Sequence, residues 1–400
     1  MSLKSSVRNL IPEWLLNWYH WLWTFFGALA YGFPGLLRQG FGGQGRNKTM
    51  KIIGVTGTSG KSTTVNFISA ILEEAGYNVA SVSSIRFKIG KKEWTNPYKM
   101  TMPGRFTIQK FLRQAVNAKC DFAVLEVTSE GIRQNRHKFI RFDTAVFNNL
   151  SMEHIESHGS FENYRNEKLK LFRVTKNRHV INGDDENAKY FLDVPAKEKI
   201  SFSPKDAHVE LSLQGDFNKA NAAAAIAVVK SYGVGMKHYQ SALEKIKSIP
   251  GRMEIVSEHP KVVVDYAHTP EQLEQVYKSF KNQKLIAVLG SCGGGRDKWK
   301  RPELGKIAKQ YASKIYITNE DPYDEDPMEI INAVAATAGS KAEIVPDRKE
   351  AIQKAIASAG ENDAVIITGK GSEVWMVVAG GKKIPWSDKD IALAALSKRP

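Results

Sequence analysis

The sequence predicts an α/β protein built on parallel sheets, and three observations carry that expectation. Short apolar runs recur along the chain, helical patterns separate many of them, and the first run leads through a Gly/Ser/Thr turn into a helix. Runs that are continuously apolar rather than alternating suit strands covered on both faces. The expected architecture is a central P-loop-type parallel-sheet ATPase domain followed by a smaller Rossmann-like α/β C-terminal domain. An apolar, Trp-rich N-terminal helix precedes both. The expected divisions are 1–48 for that helix and a linker, 49–249 for the central domain and 250–400 for the C-terminal one.

Composition permits this and excludes much else. Four hundred residues, 42% hydrophobic and 25% charged, are enough for two or three globular domains and rule out disordered, collagen-like and coiled-coil chains. The 57 Lys and Arg exceed the 42 Asp and Glu by 15. Such a surplus suits nucleic acid, an anionic membrane surface or a substrate carrying phosphates and carboxylates. Two cysteines, Cys120 and Cys292, exclude a disulfide framework and a cysteine metal cluster, and they suit a reducing cytosol.

The first element holds four of the eight tryptophans, Trp14, Trp18, Trp21 and Trp23, within an apolar run from Trp14 to Leu37. Gly27, Gly32, Pro34 and Gly35 interrupt its second half, and no small-residue cleavage pattern follows. Trp and Tyr favour the membrane interface over its centre, so one reading is an interfacial helix giving peripheral membrane contact through residues 10–37. The other is a helix packed on the protein's own domain. The glycine-rich stretch from Arg38 to Lys48 reads as a linker.

From Met50 onward the strand candidates are Lys51–Val55, Phe122–Val127, Thr144–Leu150, Lys261–Ala267, Leu285–Ser291, Lys314–Thr318 and Ala364–Gly369. Helices are expected over Lys61–Glu74, Asn221–Tyr232 and His238–Lys247, the last two ending before Ile249–Pro250–Gly251. The sharpest signal lies between the first strand and helix: GVTGTSGKSTT, Gly54 to Thr64. Glycines here let backbone N–H groups approach a phosphate, and the helix N-terminus adds favourable partial charge. Gly57, Thr58, Ser59, Gly60, Lys61, Ser62 and Thr63 are the candidate ATP contacts, with Lys61 reaching the β/γ-phosphates and Ser62 ligating Mg²⁺. Val55 stands where a strict Walker loop carries its first glycine.

Further segments join this loop in a resemblance. In order they are EVTSEGI from Glu126, FNNLSMEHIESHGSFENYRNEKLKLF from Phe147, NGDDENA from Asn182, GDFNKANAAAA from Gly215 and PGRMEIV from Pro250. VVVDYAHTPEQLE from Val262, LGSCGGGRDKWKRPELG from Leu289, NEDPYDEDP from Asn319 and GKGSE from Gly369 follow. Together they resemble the Mur ligases, closest to the branch that adds the third residue of the peptidoglycan stem peptide. The resemblance implies a cytoplasmic, ATP-dependent amide ligase, at the inner face of the membrane if the N-terminal helix touches it. Its substrates would be a muramyl-peptide precursor, UDP-linked or lipid-linked, and a free amino acid.

The resemblance also implies roles. Lys61, Glu126, His154 and Lys168 match the catalytic set, with Ser62, Glu126, His154 and Lys168 as ligands of two Mg²⁺ sites. Lys168 matches the lysine that the family carbamylates, which would turn a cation into an anionic oxygen ligand. Asn218 and Asn221 match adenine contacts, and Arg252 and Asp265 match nucleotide contacts of the C-terminal domain. Thr101, Met102, Pro103 and Ser129 match the contacts to the carboxylate-bearing substrate. Arg296 suits the α-carboxylate of the incoming amino acid, with Asp321, Tyr323, Gly369 and Glu373 around its far end.

Two departures matter. Where diaminopimelate-adding members carry DNPR, this chain has Glu320, Asp321, Pro322 and Tyr323. Without that arginine a distal carboxylate loses its partner, so the expected amino acid is a diamino acid such as lysine or ornithine, held by Glu373. The family's UDP-holding N-terminal domain also has no counterpart ahead of Lys51. Between Arg86 and Lys119, however, nine Lys/Arg face one Glu, a surface suited to a pyrophosphate. The rival readings are a cyanophycin-like or lipid-II-modifying ligase on the same scaffold, and a membrane-associated P-loop ATPase. Nucleic acid is not an expected partner, since no recognition module accompanies the basic surplus.

Overall fold

The apolar runs become the strands of two sheets crossed by helices. The computed structural model describes residues 11–36, 49–98, 100–153 and 155–399. In the first sheet β1 (Lys51–Thr56), β2 (Val79–Val82), β3 (Arg86–Ile89), β4 (Lys92–Thr95), β5 (Phe122–Glu126), β6 (Thr144–Phe147), β7 (Arg178–Asn182) and β8 (Glu198–Phe202) lie in the order β4-β3-β2-β5-β1-β6-β7-β8. The strands from β2 through β8 in that order are parallel, and β3 and β4 fold back antiparallel at one edge. β1 is central and buried from Ile52 to Thr56, which is why its sequence is a continuous apolar run.

The second sheet contains β9 (Glu254–Glu258), β10 (Lys261–Val264), β11 (Leu285–Leu289), β12 (Lys314–Ile317), β13 (Ala342–Ile344) and β14 (Ala364–Ile367). Their order is β13-β12-β11-β14-β10-β9, with β9 alone antiparallel. The strand order reverses between β11 and β14. In such sheets ligands bind outside the carboxyl ends of the strands at that switch. A short hairpin, β15 (Trp375–Val378) with β16 (Lys382–Pro385), follows.

The chain divides into two compact units. One contains Met1–Ser151, Glu162–Leu211 and Phe217–Lys245; the other contains Met152–Phe161, Ser212–Asp216 and Ile246–Pro400. Two short segments from the middle of the sequence thus belong with the C-terminal unit.

Several expected boundaries shift for local reasons. The run Thr144–Leu150 stops being a strand at Phe147, because Asn148 and Asn149 turn toward the phosphate loop. The Ala-rich helix spans Asp216–Lys230, beginning five residues early where Asp216 places negative charge in its first turn. The following helix is Met236–Lys245. The short strands β2, β3, β4, β7, β8, β9, β13, β15 and β16 were not expected; segments such as KEWT and EKISF carry no apolar run. The N-terminal helix spans Glu13–Ala30 and packs against the helix Arg105–Asn117. Among the described residues no helix is long and apolar enough to cross a membrane.

Candidate active site

The phosphate loop runs from the end of β1 to the helix Lys61–Glu74. Gly60 caps that helix at φ +75°, where a Cβ would stand 2.1 Å from Asn221 Oδ1. Both the left-handed backbone and the close approach demand glycine. The loop's shape is fixed from neighbouring elements. The Thr58 and Ser59 amides donate to Asn149 Oδ1 at 3.1 and 2.8 Å, and the Ser151 amide donates to Thr58 Oγ1 at 3.0 Å. Thr58 Oγ1 also lies 3.2 Å from the Tyr164 hydroxyl. Lys61 Nζ donates to the loop's own carbonyls, Gly57 O at 3.0 Å and Thr58 O at 2.8 Å. The first-turn amides of Lys61, Ser62 and Thr63 have no partner within the helix, which is the usual means by which a helix end receives an anion.

Beside this loop lies a pair of oxygen donors. Val55 pairs with Glu126 across β1 and β5, so the carboxylate stands next to the loop-bearing strand. Ser62 Oγ donates to Glu126 Oε2 at 2.8 Å, and the Ser84 amide donates to the same oxygen at 2.9 Å. Ser84 Oγ is 2.7 Å from Ser62 Oγ. No group of three or more His, Cys, Asp or Glu able to hold a metal exists among the described residues. Ser62 Oγ and Glu126 Oε2 are hard oxygen donors of the kind Mg²⁺ takes. Lys168 is fully buried on the helix Phe161–Val174, donating to Gly57 O at 2.8 Å with its Nζ 4.4 Å from the Tyr164 ring centre. The structure therefore brings Lys61, Ser62, Glu126 and Lys168 around one loop. His154 lies outside the described residues.

Asn218 and Asn221 sit on the same side of the loop. Asn221 Nδ2 donates to Asn218 Oδ1 at 3.2 Å, and Thr64 Oγ1 donates to Asn221 Oδ1 at 3.4 Å. Asn221 thus braces Gly60 and the helix start. Asn148 does likewise, donating from Nδ2 to Thr64 Oγ1 at 2.8 Å. Asn148, Asn149 and Ser84 went unassigned in the sequence. Both asparagines stand inside a quoted motif, whereas nothing in SVSSIR singles out Ser84.

The substrate segment is assembled in the same unit. Met102 is buried against Gly131, where a Cβ would stand 2.5 Å from Met102 Sδ, and Ser129 begins the adjoining short helix Ser129–Arg133. Arg136, buried beside them, donates to Met102 O and, at 2.7 Å, to Gln134 Oε1. Its pKa is lowered to about 10, by burial first and then by the Arg105 charge. Thr101 and Pro103 flank Met102 just before the helix Arg105–Asn117.

The C-terminal unit gathers the remaining candidates. Gly251 sits at φ +62°, with the space for a Cβ taken by the Ser372 amide at 2.0 Å, so the turn before β9 packs directly on the loop after β14. Asp265 holds this turn, accepting from the Met253 amide at 2.7 Å and the Ala267 amide at 2.6 Å. Burial pushes its carboxyl upward, against the pull of Arg252 and those two amides. The Arg252 guanidinium lies 4.4 Å from the Tyr266 ring centre. Arg296 is raised: burial works against its charge, but Cys292, Tyr266, Tyr323 and Glu153 more than offset that. Tyr323, at φ +54°, hydrogen-bonds Arg296, so the residue replacing the family arginine is turned toward the predicted carboxylate-binding arginine.

Glu373 and Asp321 share a buried partner. Lys370 is fully buried and donates to both oxygens of Asp321 at 2.9 Å, to Glu373 Oε2 at 2.5 Å and to Trp375 O at 2.6 Å. Glu373 thus already holds one ammonium, that of Lys370. The neighbouring Glu320 is buried, accepts from Cys292 Sγ at 2.9 Å on Oε1, and its Oε2 has no hydrogen-bond partner among the described residues. Gly369 lies against that oxygen, where a Cβ would stand 2.1 Å from it. A lysine flanked by glycines after an apolar strand, three residues before a glutamate, was the signal for Lys370.

Comparison with known proteins shows the family of the two domains. Residues 55–208 match the Mur ligase middle domain, and residues 251–371 match the Mur ligase, glutamate ligase domain. The chain is 33% identical over 393 residues to the UDP-N-acetylmuramoyl-L-alanyl-D-glutamate–2,6-diaminopimelate ligase of Geobacillus kaustophilus, covering 88% of this chain and 79% of that one. It is 35% identical over 425 residues to the UDP-N-acetylmuramyl-tripeptide synthetase of Roseiflexus sp., covering 93% and 81%. A solved diaminopimelate ligase superposes with a TM-score of 0.59 at 28% identity, over 87% of this chain and 78% of the other. Folylpolyglutamate synthase of Mycobacterium tuberculosis shares the fold, at a TM-score of 0.68 and 15% identity over 94% and 95%. The chain belongs to the Mur ligase family of ATP-dependent amide ligases.

Proposed function

We propose that this ligase joins a diamino acid lacking a distal carboxylate, lysine or ornithine, to the carboxylate of a muramyl-peptide precursor in the cytoplasm. Three of the relatives named above are named for UDP-linked muramyl peptides, two of them with diaminopimelate. In the first step the peptide carboxylate attacks the γ-phosphorus of ATP, giving an acyl phosphate and ADP. The amine then attacks the acyl carbon and phosphate leaves. Negative charge crowds the first step, so cations and hydrogen-bond donors aimed at the phosphates are the main requirement. The observation that carries this reading is the convergence of Lys61, Ser62, Glu126 and Lys168 on one phosphate loop.

In this reading Lys61 and the amides of the first helical turn receive the β- and γ-phosphates. Ser62 and Glu126 hold Mg²⁺, which shields the phosphoryl oxygens when bound. Lys168, once carbamylated, would offer an oxygen to a second metal, and Asn218 and Asn221 would orient the nucleotide. Arg296 grips the α-carboxylate of the incoming amino acid. Tyr323, in place of an arginine, removes the partner a distal carboxylate needs, and Glu320 offers the carboxylate oxygen left for an ammonium. Arg105 and Arg136, two neighbouring cations beside Thr101–Pro103, favour an acceptor with a pyrophosphate. A lipid-linked form and contact with the membrane's inner face are part of the same proposal, and the basic region supports a pyrophosphate in either form of the acceptor.

Phosphate release measured with lysine, ornithine and diaminopimelate, each against UDP-linked and lipid-linked acceptors, tests all of this. Lysine or ornithine is expected to exceed diaminopimelate; equal turnover would remove the amino-acid assignment. Faster turnover of the UDP-linked acceptor would remove the lipid-linked one. Phosphate release without amine or peptide carboxylate would replace ligation by simple ATP hydrolysis.

A further inference from the structure

The N-terminal helix is packed the wrong way round for a core element. At 100° per residue, Thr24, Gly27 and Ala28 share one arc with the half-buried His20, and these small residues face the protein. A Cβ on Gly27 would stand 3.3 Å from Arg105 O, so the helix touches the helix Arg105–Asn117 at its backbone. The rest of the circumference presents Trp14, Trp18, Tyr19, Trp23, Phe26 and Leu29 to solvent, with Trp14 72% and Trp18 59% exposed, and Trp21 stands at its edge. A helix recruited to fill a core buries its largest side chains; this one displays them.

The display is held rigidly. Arg113 donates to Tyr31 O at 2.7 Å and Gly32 O at 2.9 Å, Asn135 Nδ2 donates to Asn17 Oδ1 at 2.5 Å, and the Arg141 amide donates to Gly35 O at 3.0 Å. The Trp21 and Phe25 rings meet Phe139 edge-on. Cations border the aromatic face. The Arg105 guanidinium is 5.9 Å from the Tyr19 ring centre, and exposed Lys110 lies on the docking helix with Arg113. Clustered Trp and Tyr beside Lys and Arg match the headgroup region of an anionic bilayer. A second copy of the chain would instead oppose one basic rim to another, within a protein of net charge +15.

We propose that this aromatic face seats in the headgroup layer of an anionic membrane, setting the segment Thr101–Pro103 at the membrane surface. The Trp23 ring lies tilted with its centre 6.0 Å from that of Phe106, the second residue of the helix that segment leads into, so the outward rings adjoin the element that follows the substrate segment. The seating stands independently of the ligase chemistry; only the consequence for a lipid-linked acceptor rests on the function proposed above.

Co-sedimentation of the full chain with vesicles of phosphatidylcholine, with and without about one-third phosphatidylglycerol, tests the seating. Binding to the anionic vesicles is expected, weakening about tenfold or more when phosphatidylglycerol is omitted or salt is raised. The variant Trp14→Ser/Trp18→Ser/Trp23→Ser should lose binding by a similar factor while keeping its phosphate release with a UDP-linked acceptor. Lys110→Glu, which touches no core, should weaken anionic binding and serves if the triple variant does not fold. Absence of vesicle binding by the natural chain, or binding unchanged in both variants, overturns the proposal. So does a concentration-dependent dimer abolished by the triple variant, which would assign the face to a second copy. Vesicle binding without ligation would overturn the catalytic reading and leave the seating intact.

Discussion

Replacing Lys370 by methionine isolates the most concentrated set of charges in the C-terminal unit. The lysine is fully buried, as is Asp321, and its ammonium makes four hydrogen bonds to Asp321, Glu373 and Trp375 O. Methionine fills nearly the same space but leaves the Asp321 carboxylate in the interior with the Val377 amide, at 2.7 Å, as a remaining donor. Removing one partner of a buried ion pair costs about 3–5 kcal/mol, because the other charge stays desolvated. For a unit of this size that corresponds to a fall of about 6–20 °C in Tm. The assay is calorimetry of the intact chain, following the transition that Lys370→Met displaces. Adding Asp321→Asn should recover part of the loss, since the stranded charge is then gone. A Lys370→Met transition within about 2 °C of the natural one would refute the reasoning, for it would mean that these charges are solvated or paired otherwise.

Gly60→Ala forces a Cβ into Asn221 Oδ1 and a left-handed φ onto alanine, so nucleotide affinity, read by calorimetric titration, should fall about tenfold or more. Glu126→Gln keeps the shape of the Ser62 and Ser84 contacts but removes the charge; phosphate release should then need far more Mg²⁺, seen as a rightward shift of the Mg²⁺ titration. Glu320→Gln should raise the KM for lysine about tenfold with kcat less affected, and more than Glu373→Gln does, because Glu373 serves Lys370. Buried His137 has its pKa lowered to about 3, by burial first and then by the Lys138 and Lys170 charges. It is neutral in the fold and ionises in the unfolded chain near pH 6.5, so its contribution is complete above that pH and is lost as pH falls toward 3. Between pH 6.5 and 5 the loss is about 2 kcal/mol, measurable by urea unfolding and absent in His137→Phe.

What could be read from the sequence follows from how local each requirement is. The phosphate loop was legible because strand, glycine turn and helix start are consecutive, and each residue type there answers a constraint within ten positions. Glu126 was legible as a strand end, since the pairing of Val55 with Glu126 is the ordinary consequence of adjacent parallel strands. Ser84, Asn149 and Lys370 were not, because their partners stand 22, 90 and 49 residues away and only the folded register brings them together. The tie of Glu373 to Lys370 is likewise a product of folding. A lone carboxylate in a glycine turn looks available until the lysine three residues before it is seen to turn inward. The N-terminal helix shows a different limit. Its sequence is apolar nearly all round, so periodicity could not say which arc the protein would take, and the two readings stood level. Close backbone approach decided it by selecting the smallest side chains, Thr24, Gly27 and Ala28, and pushing the rings outward.

That inversion bears on the charge surplus. Cations spread evenly over a surface mainly keep a protein soluble, but Arg105 is placed close enough to buried Arg136 to disfavour its charge. Holding two guanidinium groups together costs stability unless an anion joins them. Gln134 and the Met102 carbonyl satisfy hydrogen bonds there without supplying negative charge. Glu130 offsets part of that repulsion, and in the function proposed above a pyrophosphate would add the charge and the oxygen acceptors that two adjacent guanidinium groups can share. Because Arg105 also borders the outward rings, the two proposals above give the same cation both roles, toward the substrate's phosphate and toward the membrane's. Raising ionic strength should then weaken the acceptor and the vesicle together, whereas Lys110→Glu, farther along the helix, should weaken the vesicle first.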